Sequence, residues 1–135
     1  KYFWITGWVV WILLFEYIGA WMGIPQPTRW IGKDLSLLLL YGTGMIFLAP
    51  LAEELAFLEV LFSRIREHGG GIAAIVSTAL LFSIAHGQYG TIEMSMIFFD
   101  GLFLATVRHQ TGSVPLTFIL HAIGNSVAFI ERLPL

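Results

Sequence analysis

Ala49-Pro50-Leu51-Ala52-Glu53-Glu54-Leu55-Ala56-Phe57 sets two adjacent carboxylates in the middle of an apolar run that begins near Leu35 and ends near Phe62. A carboxylate at bilayer depth costs several kcal/mol unless it is paired, protonated or turned to a wet cavity. Two side by side also oppose each other's full ionisation. Packing alone gives no reason to carry that cost twice, so the pair marks a working site. The rest of the chain reads as the scaffold that brings polar partners to Glu53 and Glu54.

Composition agrees with a membrane setting for that run. Of the 135 residues, 57% are hydrophobic, 15% aromatic and 12% charged, and the mean hydropathy is +0.80. A soluble domain is about 25% charged, so half that value points to an integral membrane protein with lipid as its surroundings. A net charge of −2 is small and argues against a nucleic-acid partner. With no cysteine, disulfides, thiolate metal ligands and a thiol nucleophile are excluded as well.

Outward from the glutamates, the chain divides into five apolar segments, each near the ~20 residues that a spanning helix needs. The first, about 2–24, is rich in tryptophan (Trp4, Trp8, Trp11, Trp21) suited to the membrane interface, and Pro25-Gln26-Pro27-Thr28 ends it. Asp34 is placed to cap the second, about 35–65, which is too long to span straight and must tilt, protrude or kink at Pro50. Pro50 also frees a backbone carbonyl about one turn upstream. Gly69-Gly70-Gly71 makes a turn into the third segment, 72–86. The fourth, about 94–108, holds Asp100-Gly101, and the fifth, 114–130, holds His121 and Asn125. The expectation is one all-α integral membrane domain over 1–135. It would be a compact bundle of about five transmembrane helices with its active site in a polar intramembrane cavity. A multi-pass membrane location follows, the cell membrane if the source is bacterial.

The polar groups at membrane depth are few: Glu53, Glu54, Glu59, His86, Asp100, His121 and Asn125. His121 and Asn125, four apart, share one helix face. Carboxylates, histidines and an amide on three helices suit water activation. A carboxylate takes a proton from water, a histidine helps hold that water, and a second histidine and an amide donate to a developing oxyanion. The bland alternative for the glutamates is a protonated pair acting as interhelical glue.

Three of these stretches together resemble a known family. Pro50-Leu51-Ala52-Glu53-Glu54-Leu55-Ala56-Phe57 is similar to the first motif of the CPBP family, the CAAX proteases and bacteriocin-processing enzymes of the Abi type. Phe82-Ser83-Ile84-Ala85-His86 is similar to its Phe-x-x-x-His motif and His121-Ala122-Ile123-Gly124-Asn125 to its His-x-x-x-Asn motif, with Thr111-Gly112-Ser113 before the last helix also alike. Order and spacing agree over a catalytic core of about 35–130.

The resemblance implies a glutamic-type intramembrane endopeptidase acting on a membrane-associated protein or peptide, such as a prenylated CaaX-like tail, a peptide leader or a C-terminal sorting anchor. Glu53 would be the general base, with His86 holding the hydrolytic water. His121 and Asn125 would form the oxyanion hole, and Glu54 would orient or share a proton. No cofactor is then required. The metal-dependent alternative would place a divalent ion such as zinc on Glu53, His86 and His121, although the His-Glu-x-x-His zinc signature does not occur.

One departure stands out. The family pattern continues Glu-Glu-x-x-x-Arg-Gly, whereas this chain has Leu58-Glu59. Leu58 removes the arginine that would offset the carboxylates, and Glu59 adds a charge of the same sign. Either another cation stands nearby, or the arginine's role has moved, or the chain is an inactive member acting as a membrane binding, immunity or scaffold protein.

Overall fold

The computed structural model describes residues 2–24 and 29–133. The expected break at Pro25-Gln26-Pro27-Thr28 lies outside the described residues. All described elements are helical, and no strand occurs among them: α1 (Tyr2–Trp21), α2 (Leu35–Thr43), a π-helical segment Gly44–Leu48, α3 (Ala49–Glu53), a second π-helical segment Glu54–Leu61, α4 (Phe62–Ala85), α5 (Thr91–Thr111) and α6 (Val114–Ile130).

Among the described residues two helical runs are long and apolar enough to cross a bilayer, Tyr2–Trp21 and the 51-residue run Leu35–Ala85. The second run breaks at Gly70, whose φ of 79° and ψ of 178° lie outside helical space and favour a residue with no Cβ. The turn expected at the three glycines is therefore a single-residue hinge inside α4. The fourth and fifth apolar segments form α5 and α6. Glu93, Asp100 and Arg108 interrupt the apolar character of α5, and α6 has 17 residues, so neither meets the spanning criterion on its own.

The buried side chains include polar ones beside an apolar core, and many large apolar side chains face outward. Glu54, Thr78, Ser83, Thr117 and His121 are buried, while Leu13, Leu39, Leu40, Leu55, Val60 and Leu80 are exposed. Large apolar surface facing outward is unfavourable in water and costs nothing in hydrocarbon.

By internal contacts the chain divides into two compact units, Lys1–Leu51 with Ile119–Leu135, and Ala52–Phe118. In the first, buried Trp8 lies against Gly124, where an added Cβ would stand 3.2 Å from the indole. Gly42 meets the Phe129 ring in the same way, and Trp30 packs edge-on against Phe129. Asp34 caps α2 as expected, its carboxylate accepting from the Leu37 amide at 2.9 Å and the Ser36 hydroxyl at 2.8 Å. Those bonds, the Leu37 amide foremost, hold the Asp34 carboxyl below the usual carboxylate range.

In the second unit α4 and α5 pack together. A Cβ on Gly101 would lie 3.0 Å from the Ala79 backbone, so the two helices approach as closely as glycine permits. The Thr111-Gly112-Ser113 connection has a local explanation. Gly112 ends α5 in the left-handed conformation at φ 66°. The Ser113 hydroxyl then accepts from the Leu116 amide at 3.2 Å and starts α6.

Candidate active site

Helical hydrogen bonding changes register at three places around the predicted motifs, and each change leaves over one carbonyl. In the first π-helical segment the Ala49 amide reaches back five residues to Gly44. Continuing that register would send the next amide to Met45, but residue 50 is proline and has none. The Asn125 side-chain amide fills the gap, Nδ2 donating to the Met45 carbonyl at 2.8 Å. In the second π-helical segment the Phe62 amide reaches back to Phe57. The α-helical ladder resumes beyond it and passes over Leu58, whose carbonyl accepts from Arg108 Nε at 2.9 Å. At the end of α4 the last turn tightens, the His86 amide bonding to Ser83 at 3.0 Å. This leaves the Phe82 carbonyl for the His86 ring, with Nδ1 at 2.8 Å.

The third of these fixes the chemistry of His86. A carbonyl oxygen only accepts, so Nδ1 carries the proton, and in the neutral ring Nε2 keeps its lone pair. That Nε2 lies 3.9 Å from Glu53 Oε1. The separation is too long for a direct hydrogen bond and suits one water donating to both atoms. The four-residue spacing of Phe82 and His86 is thus the spacing of a side chain bonding back one turn, reinforced by ring contact at 4.6 Å. Both side chains remain partly open, His86 at 18% and Glu53 at 26% exposure, so the pair is reachable from outside.

Glu54, the first residue of the second π-helical segment, is buried at 2% exposure. A small cavity of about 10 Å³, the room of roughly one water, is lined by Glu53, Glu54, Thr78, Phe82, Gly101 and Leu104 among others. The two glutamates and His86 therefore belong to one site within the second unit. His121 and Asn125 lie one turn apart on α6, in the first unit. His121 is buried, and Asn125 is half-buried with one amide N–H committed to Met45.

Arg108 answers the question left by Leu58-Glu59. Its guanidinium spans the Leu58 carbonyl and the Glu59 carboxylate, Nη2 to Oε2 at 3.0 Å, and sits 5.8 Å from the Phe62 ring centre. The extra negative charge expected at position 59 is consequently offset by a cation from α5. Sequence reading did not assign this role to Arg108, although a missing arginine next to paired carboxylates was the signal that some other cation was needed.

The sequence profile of the type II CAAX prenyl endopeptidase Rce1-like family matches residues 35–127, most of the chain and all of the site residues above. The chain belongs to this family. No curated protein and no solved structure matches it. Membership in the Rce1-like family, a family of membrane-embedded proteases, agrees with the outward apolar surface and with the helical fold.

Proposed function

We propose that this chain is a glutamate-type intramembrane endopeptidase, with all of its apolar segments in the membrane as a multi-pass bundle. Its substrate would be a membrane-associated protein or peptide, for which the family's description favours a prenylated C-terminal tail. The observation that carries the reading is the 3.9 Å gap between Glu53 Oε1 and His86 Nε2, with the ring fixed by the Phe82 carbonyl.

A water in that gap gives one proton to Glu53 while its oxygen attacks the substrate carbonyl carbon. The new C–O bond pushes the carbonyl electrons onto oxygen, and His121 and Asn125 are assigned to stabilise that oxyanion. Their assignment rests on the His121-x-x-x-Asn125 motif and on the shared helix face. Asn125 has a second amide N–H besides the one given to Met45. Collapse of the intermediate breaks the C–N bond, and protonated Glu53 returns its proton to the leaving amine. Glu54 sits beside the base to orient it.

For the metal-dependent alternative, Glu53, His86 and His121 would be the ligands, three being the number that catalytic zinc sites use. The glutamate mechanism uses the pair as it stands.

The test is cleavage of a prenylated reporter peptide by the purified chain in lipid. Glu53→Gln should lower turnover by roughly 10²–10⁴-fold, the usual worth of a general base, and a chelator should leave it unchanged. Cleavage that survives Glu53→Gln would remove the mechanism. An unsubstituted chain that binds the reporter without cutting it would mark an inactive family member.

A further inference from the structure

The turn that follows α4, His86-Gly87-Gln88-Tyr89-Gly90, carries an aromatic residue that none of the three motifs contains. The Tyr89 ring lies 6.2 Å from the His86 ring, centre to centre, with the planes 20° apart. That is the geometry of an offset stack. The backbone puts it there: the Tyr89 amide donates to the His86 carbonyl at 3.1 Å, so the chain folds back over the histidine. The turn is also tied at its base, where the Ser83 hydroxyl of α4 donates to the Met94 carbonyl of α5 at 2.6 Å. Tyr89 is 43% exposed, and an exposed tyrosine on a membrane protein is ordinarily an interface anchor. Its neighbour gives it a second use. The hydrogen bond from His86 Nδ1 to the Phe82 carbonyl holds the ring at one point only. At 18% exposure, water can reach the imidazole and compete for that bond. Phe82 restrains the ring from within α4, at 4.6 Å between centres, and Tyr89 restrains it from the turn.

We propose that Tyr89 is a positioning residue for His86: its aromatic ring, rather than its hydroxyl, keeps the imidazole aimed with Nε2 towards Glu53. Without that ring, the histidine can leave the Phe82 carbonyl, and the proton is then no longer confined to Nδ1. The kinetic consequence rests on the protease reading above; the restraint on the ring does not.

The experiment compares Tyr89→Leu, which keeps apolar bulk and removes the ring, with Tyr89→Phe, which keeps the ring and removes the hydroxyl. On the full chain in lipid, Tyr89→Leu should lower kcat about three- to tenfold, the scale of one lost aromatic pair. KM should stay within about twofold, since the ring acts on the histidine and not on the substrate. Tyr89→Phe should restore most of kcat. A second readout needs no activity: nitrogen NMR of the histidine rings, with the His86 signals assigned by their loss in His86→Gln. At a pH about two units above the usual histidine value, the unsubstituted chain and Tyr89→Phe should show His86 protonated on Nδ1 alone. Tyr89→Leu should show a mixture of the two tautomers. An unchanged kcat or a single tautomer in Tyr89→Leu would overturn the proposal. A kcat that Tyr89→Phe fails to restore would do the same by assigning the effect to the hydroxyl, and a raised KM with normal kcat would make Tyr89 a substrate contact instead. Should Tyr89→Leu not fold, Tyr89→Phe still decides, a lost kcat or mixed tautomers in it refuting the idea. If the unsubstituted chain cleaves nothing, the protease reading fails, while the ring-nitrogen signals still judge this proposal.

Discussion

Replacing Arg108 by methionine keeps the apolar stem and removes three interactions of different strength. The strongest is the charged donor on the Leu58 carbonyl at 2.9 Å, which the π-helical register has left over. Hydrogen bonds to charged groups contribute about 1.5–3 kcal/mol, and a buried acceptor left unmade costs its full desolvation. The ion pair with Glu59 is weaker despite its 3.0 Å length, because the Glu59 side chain is 52% exposed and solvent screens it, leaving about 0.2–1 kcal/mol. Stacking over Phe62 adds about 0.5–1 kcal/mol. Arg108→Met should therefore destabilise the chain by roughly 2–5 kcal/mol in total. Glu59→Gln, which removes only the ion pair, should cost less than about 1 kcal/mol. Arg108→Lys should fall between them, because a lysine lacks the planar fork that reaches both acceptors. Equilibrium unfolding in mixed detergent micelles measures all three. Equal losses for Glu59→Gln and Arg108→Met would show that the ion pair, and not the carbonyl, is what Arg108 serves.

Asn125→Ala should have two separable effects. Losing an oxyanion donor lowers kcat by roughly 10²–10³-fold with little change in KM, and exposing the Met45 carbonyl lowers thermal stability. Stability loss with full turnover of the folded fraction would leave Asn125 as a carbonyl cap alone. Gly101→Ala forces a methyl to within 3.0 Å of the Ala79 backbone and 3.4 Å of the Phe82 ring. It should destabilise by about 1–3 kcal/mol through overpacking, and a neutral result would mean that α4 and α5 pack less tightly than described. For Asp34 the sign follows from a carboxyl held below its ordinary range. Its capping contribution is present above that range and fades as pH falls through the folded value. Hydrogen exchange at the Leu37 amide should accelerate at low pH in the unsubstituted chain relative to the pH trend of Asp34→Asn, which caps without titrating. Identical profiles would refute the capping role.

The amino-acid sequence by itself carried the class and the candidate place of the chemistry. Low charge and long apolar runs mean helices in lipid, because only internally hydrogen-bonded backbone survives there. Glu53 and Glu54 inside such a run mark the candidate site, because their cost calls for a use. The spacing of Phe82 and His86, and of His121 and Asn125, was readable as one helical turn. Hydropathy alone left the spans less certain, since α5 carries three charges that only their surroundings accommodate. The tertiary structure decided which carbonyls the register changes leave over and which side chains take them. Arg108 reaches Leu58 across 50 residues of sequence, and Asn125 reaches Met45 across 80. Periodicity reports which residues share a face of one helix and is silent about the helix that packs against it. A register change depends on both: proline withholds a donor locally, and a side chain from a distant segment supplies the replacement.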